Sequence, residues 1–341
     1  MQLQLPRPRN LFLGFAVLLP LTAALAPRGT TISFAPQEGL SLTKTFSQVL
    51  TAEIADLTVS MNDEEMELEG RPEMSIQSTE MIAITDTYTA VEGGRPTKLT
   101  RFFDELARSR SQEFDGESIE SEETSELEGK SVLFEWDGDE ESYEVRFSED
   151  DEDADEDLLA DLFGDADLLG FMPKEEVEEG DTWSVELIDY RRLFSASGDL
   201  VFLDEEGESS KDEIDELLDD NLEGEIECTF GGVEDVDDVL MALIEFTVEI
   251  ESDAETSGDL GIDDPEVSSG VEVSEISTSS EFEGTIYFNL RAGHIASVEI
   301  VGETEFNISE GVEIELHSGE TFSQMQTMVF EGELEVEITF E

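Results

Sequence analysis

The last nine residues constrain the fold more than any other stretch: Glu333-Leu334-Glu335-Val336-Glu337-Ile338-Thr339-Phe340-Glu341 alternates apolar and polar positions without a break. Only a β-strand repeats every second residue, so Leu334, Val336, Ile338 and Phe340 line one face and the carboxylates the other. A strand with one dry and one wet face belongs to an antiparallel sheet. The same alternation runs through Ile244–Ile250, Ile286–Leu290 and Val312–Leu316. Ile286–Leu290 turns through Arg291-Ala292-Gly293-His294 into Ile295–Val301, and Val132–Trp136 and Tyr143–Phe147 flank Asp137-Gly138; both are hairpin signals. Ile54–Met61, Glu73–Thr79, Met81–Ala90 and Thr97–Phe103 also read as strands.

The expected class is mainly β: an antiparallel curved meander or half-barrel with short acidic helices. Leu127-Glu128-Gly129, Leu222-Glu223-Gly224 and Phe282-Glu283-Gly284 each precede a strand, a pattern compatible with two related halves. Two segments with helical spacing interrupt the strands. One is an acidic amphipathic helix near 149–169, carrying Leu158, Leu159, Leu162 and Phe163, and the other is Lys211–Leu222. Ser252–Ser280, rich in Ser, Gly and acids, reads as a mobile loop. The expected organisation is a signal peptide over 1–26 and an N-terminal β-rich half over 27–170 that includes the acidic helix. A C-terminal β-rich half over 171–341 follows, with the acidic loop near 252–280.

The N-terminus has the three parts of an export signal: Arg7 and Arg9, the apolar run Leu11–Leu19 continuing past Pro20, and Ala24-Leu25-Ala26 as a cleavage pattern. The run is short for a membrane span of about 20 residues, so the mature form is expected to lack a transmembrane segment and to be periplasmic or extracellular. Cys228 is the only cysteine, so no intramolecular disulfide forms and a core must hold the fold.

Charge sets the partners. Asp and Glu number 89 against 17 Lys and Arg, a net of -72 over 341 residues. Binding phosphate backbones relies on Lys and Arg displacing counterions, so nucleic acid and anionic lipid are excluded, and a cationic or extracellular-matrix partner is what the field admits. Past Lys211 one basic residue remains, Arg291, whereas Arg95, Lys98, Arg101, Arg108 and Arg110 form a basic island read most simply as internal partners for carboxylates. An outer-membrane barrel is disfavoured, since four Tyr and two Trp cannot build aromatic girdles.

Catalytic signatures are missing. Two histidines, His294 and His317, cannot make an H-E-x-x-H site, and neither a phosphate loop nor a G-x-S-x-G elbow is present. Calcium is the one cofactor suggested. Asp151, Asp153, Asp155 and Asp157 fall at alternate positions, the first three as in an EF-hand loop, but Glu156 stands where the turn needs Gly and Leu162 where a bidentate Glu belongs. Chelation there is therefore expected to be weak and diffuse. The leading functional expectation is a secreted, non-catalytic acidic binding or structural module. A carrier holding an apolar ligand in a concave sheet ranks second, and an enzyme without a recognisable motif third.

Phe171-Met172-Pro173 followed by Val177 and Gly180-Asp181-Thr182-Trp183 resembles a segment of uncharacterised secreted β-rich proteins of planctomycete-type bacteria. Gly284–Asn289 and Gly293-His294-Ile295 are similar to strands in those proteins and, distantly, to the curved sheets of lipoprotein-carrier-like folds. The resemblance implies export and a curved sheet, with Trp183 as an anchor beneath it; it implies no reaction.

Overall fold

The computed structural model describes residues 29–341 except 63, 67–72, 115, 161, 165–166, 196, 205–220, 237, 260–266 and 319–320. The expected signal peptide, and the expected helix Lys211–Leu222 but for its last two residues, lie outside the described residues. The strands are β1 (Ser41–Met61), β2 (Glu64–Glu65), β3 (Met74–Glu92), β4 (Arg95–Phe114), β5 (Glu117–Thr124), β6 (Ser131–Asp137) and β7 (Ser142–Phe147) in the first half. They continue with β8 (Thr182–Val185), β9 (Glu223–Val236), β10 (Val239–Asp259), β11 (Val267–Asn289), β12 (His294–Leu316) and β13 (Thr321–Phe340). All lie in one antiparallel sheet of order β7-β6-β4-β3-β1-β13-β12-β11-β10-β9-β8, with β2 beside β1 and β5 beside β4. The path does not close, and β1 against β13 joins the first and last strands of the chain within one sheet.

Phase decides the faces. On β13 the even-numbered residues Phe330, Leu334, Val336, Ile338 and Phe340 are buried, while Glu331, Glu333, Glu335 and Glu337 are exposed. Register carries this parity across the sheet: Ile338 stands between Phe46 of β1 and Val298 of β12. The inner face thus carries Ile82, Phe103, Phe246, Ile286 and Ile300, and the outer face carries Glu and Thr.

Two glycines let the inner face pack closely. Gly284 lies opposite Phe246 and Gly302 opposite Phe282. A Cβ on Gly284 would sit 2.3 Å from the Phe246 ring, and one on Gly302 would sit 2.2 Å from the Phe282 ring, so each phenyl lies over bare backbone. Gly302→Val is expected to cost about 1–3 kcal/mol by overpacking. Gly258→Val, where an added Cβ meets nothing within 4 Å, is the control. Urea midpoints of the two variants check this.

The described chain from 148 to 204, β8 apart, crosses the inner face instead of leaving the sheet. It forms short 3-10 turns at Glu156–Leu159, Leu169–Phe171 and Leu187–Tyr190, and one helical turn, α1 (Arg191–Phe194). Leu162, Leu168, Phe171, Leu193 and Phe202 from this segment are buried in the same core as the sheet's inner residues. Phe171 packs edge-on against Phe246 with centroids 5.3 Å apart, and Phe194 lies 5.4 Å from Phe282.

Two expectations are corrected. The described residues of 149–169 form turns rather than an amphipathic helix, because bonds outside a helical ladder capture the backbone. The Asp155 carboxylate accepts from the Asp157 amide (3.1 Å), and the Phe163 amide donates to the Ser197 carbonyl (2.9 Å). Leu168 takes a left-handed conformation (φ 50°) that ends any helix. Of Ser252–Ser280, expected as a loop, residues 252–259 and 267–280 instead form the outer arms of β10 and β11, paired from Ser252↔Thr278 to Asp259↔Val271. Ile276 falls in phase with the inner face, and β12 backs the arm through Ile276↔Ile308 and Val273↔Gly311.

Candidate functional site

The outer face is built by register. Glu225, Glu249, Glu281, Glu303 and Glu333 stand directly opposite one another on β9, β10, β11, β12 and β13. Directly opposed side chains have Cβ atoms about 4.5–5.5 Å apart, where like charges destabilise a sheet. A second row opposes Glu305, Glu331 and Glu53 on β12, β13 and β1.

Beside the first row the outer face dips into a hollow of about 470 Å³ lined by Glu227, Glu245, Glu283 and Glu299 together with Thr229, Thr247 and Thr285. The register makes a checkerboard. Thr247 lies between Glu227 and Glu283, and Glu245 between Thr229 and Thr285, so each carboxylate there has a hydroxyl neighbour across the strand. The functional groups are oxygen ligands throughout, which suits hard hydrated cations and the ammonium or guanidinium groups of a protein. The field registers on Tyr287. Partial burial and the carboxylates of Glu299 and Glu234 push its phenol above the usual value. Among the described residues no three His, Cys, Asp or Glu side chains converge as a metal cage.

Asp151, Asp153, Asp155 and Asp157 do not converge. Asp151 accepts from the Ser131 amide (2.8 Å) and lies 3.7 Å from Lys130, while Asp155 caps the turn Glu156–Leu159. Asp153 and Asp157 are exposed. Two of the four thus fold the segment rather than present a coordination sphere.

A second charged constellation lies wholly inside. Lys44 on β1, Asp86 on β3, Arg101 on β4 and Asp167 on the crossing segment are all at most 1% exposed. Lys44 Nζ reaches both Asp86 and Asp167 at 2.8 Å. Arg101 grips Asp86 with two bonds, Nε to Oδ1 at 2.7 Å and Nη2 to Oδ2 at 2.8 Å, and donates to the Phe163 and Gly164 carbonyls and to Ser197. Tyr88 donates its hydroxyl to Asp167 at 2.7 Å. Burial alone would raise the Asp86 pKa, but Arg101 and Lys44 outweigh it and hold the carboxyl below its usual range. Burial first, then Asp167 and Asp86, push the Tyr88 phenol well above 10.0. Two cations and two anions balance. The cluster clamps the crossing segment onto the sheet and is closed to solvent.

Three more residues of the basic island have partners nearer the surface: Arg108 pairs with Glu80 and Glu123, the part-exposed Lys98 with Glu135, and the exposed Arg95 stacks over Trp136 at 3.9 Å. Trp183 is half-buried on β8, its indole donating to the Phe171 carbonyl at 3.1 Å. Burial, then the Glu227 charge, pushes the Cys228 thiol up to about 12, and the group is sealed in the core.

Sequence reasoning missed the buried cluster, although a signal exists. Lys44 sits in Leu42-x-Lys44-x-Phe46, Asp86 in Ile84-x-Asp86-x-Tyr88, and Arg101 in Leu99-x-Arg101-x-Phe103, each a charge in phase with the apolar face. A charge at such a position needs a buried partner of opposite sign.

No protein-family model matches the chain, and no curated protein matches it. Solved structures that align with it include engineered variants of Rhodopseudomonas blastica porin. Two are 12% identical over 85% of this chain and 100% of the porin, with TM-scores of 0.12 and 0.13, and a triple variant scores 0.11. At such scores the alignments carry no argument about fold or activity.

Proposed function

We propose that the protein is an exported, non-catalytic acidic binding module whose outer sheet face gathers cations, calcium among them, or the cationic groups of a partner. The observation that carries this reading is the row Glu225–Glu249–Glu281–Glu303–Glu333, five carboxylates in register across five strands. Such a row works against folding unless positive charge lies over it. Its oxygen-only chemistry and its openness to solvent suit exchangeable, low-affinity association. The non-catalytic part is supported by the use of the reactive groups: Cys228 and the Lys44–Asp86–Arg101–Asp167 cluster are occupied in packing and clamping. The carrier reading is weakened by the crossing segment, which fills the part of the inner face that it crosses with Phe171, Leu193 and Phe202.

Titration calorimetry with CaCl₂ in 0.15 M NaCl tests the reading. Several weak sites are expected, lost as NaCl is raised to 1 M. The triple variant Glu249→Gln, Glu281→Gln, Glu303→Gln should bind fewer ions. Unchanged binding by that variant would take the row out of the proposal.

A further inference from the structure

Beyond the crossing segment the inner face carries an apolar stripe that, among the described residues, is covered only in part. Phe114 of β4 pairs with Met74 of β3, Ile54, Phe330 and Phe306 lie in register across β1, β13 and β12, and Ala52↔Ile76 joins the two groups one inward position before them. One step further out lie Leu57, Met328, Ile308 and Ile276 on β1, β13, β12 and β11. Ile119 on β5 extends the stripe at one end. Ile54 and Phe330 are buried by their neighbours, while Leu57, Met74, Ile76, Phe306, Ile308 and Met328 are only partly covered. Phe114 is 51% and Ile119 70% exposed.

The stripe runs across the strands from β5 to β11, about 30 Å at the usual inter-strand spacing. A helix of about 20 residues has that length. Thioether side chains at Met74 and Met328 adapt to varied apolar surfaces. Glu117 flanks the stripe at the β5 end, and Glu310 and Glu272 flank it beyond Ile308 and Ile276. A second copy of the chain would bring another net charge of -72 onto the same surface, and anionic lipid is repelled for the same reason.

We infer that this stripe is a docking site for a cationic amphipathic helix, its apolar side seated on the stripe and its Lys or Arg side facing the flanking carboxylates. This site lies on the opposite face from the glutamate rows and does not depend on their binding cations.

The test uses the full chain and a fluorescent 20-residue Leu/Lys helix, with a reordered peptide of the same composition in which Leu and Lys no longer segregate. The amphipathic peptide should bind at least tenfold more tightly than the reordered one in 0.15 M NaCl. Phe114→Ser with Ile119→Ser, both at well-exposed positions, should weaken the amphipathic peptide at least tenfold with an unchanged melting temperature. The outer-row variant Glu249→Gln, Glu281→Gln, Glu303→Gln should leave that preference in place, which separates this site from the outer face. Equal binding of the two peptides, or full binding by the Ser variant, overturns the inference. Phosphatidylcholine vesicles that bind the protein in place of the peptide would overturn it in favour of lipid. A concentration-dependent dimer in sedimentation, abolished by the Ser variant, would overturn it in favour of a second copy.

Discussion

Asp86→Ala is expected to destabilise the protein by about 3–5 kcal/mol, the usual cost of removing one partner from a buried ion pair. The variant leaves Lys44 and Arg101 buried with Asp167 as the remaining carboxylate of the cluster. At about 2–4 °C per kcal/mol, the melting temperature should fall by roughly 6–20 °C. The crossing segment should loosen first, because Arg101 holds the Phe163 and Gly164 carbonyls and Lys44 holds Asp167. Hydrogen exchange at 162–172 against that of β12 and β13 would show the order. Replacing Lys44 and Arg101 by Met and Asp86 and Asp167 by Leu together is expected to cost far less, since no charge is then stranded. A fall with the quadruple variant as large as that with Asp86→Ala would mean that packing, not charge pairing, holds the site.

The same cluster sets a pH window. The folded Asp86 pKa lies below its ordinary value of 3.8, so its contribution is present above that value and is lost as pH falls through the folded pKa. The folded Tyr88 pKa lies above 10.0, so its contribution is present below that value and is lost as pH rises toward the folded pKa. Both limits lie far from neutrality. Urea midpoints should therefore be governed by the cluster only below about pH 4 and above about pH 10.

The alternation that made β13 legible made its partner strands legible too, and the hairpins at Asp137-Gly138 and Gly293-His294 form where the turn residues fall. Length was harder to read. Ile54–Met61 is the end of the 21-residue β1, and Met81–Ala90 lies inside the 19-residue β3. In both, polar residues at inward positions, Gln48 on β1 and Ser78 and Glu80 on β3, interrupt the apolar phase without ending the strand, because neighbours on both sides supply backbone partners. Alternation alone leaves open which carboxylates of β12 face Glu333, Glu335 and Glu337. They lie opposite Glu303, Val301 and Glu299, while Glu313 and Glu315 face Ser323 and Thr321. Register depends on where a hairpin turns, and the turn joining β12 to β13 follows Leu316, which alternation within either strand does not reveal.

Salt should act on the outer face more than on any other part of the molecule. Each of the pairings β9–β10, β10–β11, β11–β12 and β12–β13 contributes one Glu–Glu opposition to the long row, and Glu299↔Glu337, Glu255↔Glu275 and Glu223↔Glu251 add others. Each opposition is destabilising by a few tenths of a kcal/mol. At 0.01 M salt the screening length is about 30 Å, so every carboxylate feels several rows; at 0.15 M it is about 8 Å and only nearest neighbours count. The melting temperature is therefore expected to rise steeply from 0.01 to 0.15 M NaCl and less from 0.15 to 1 M. Glu249→Gln, Glu281→Gln, Glu303→Gln should melt higher than the parent at 0.01 M and converge with it at 1 M, because neutral amides remove the repulsion that salt would otherwise screen. Millimolar CaCl₂ at matched ionic strength should raise the parent further and the triple variant less. The buried cluster is beyond the reach of ions, so Asp86→Ala should keep the parent's salt slope while melting lower throughout. A parent melting temperature indifferent to NaCl would show that the outer rows carry no repulsion worth relieving, and with it the case for a cation-gathering face would fall.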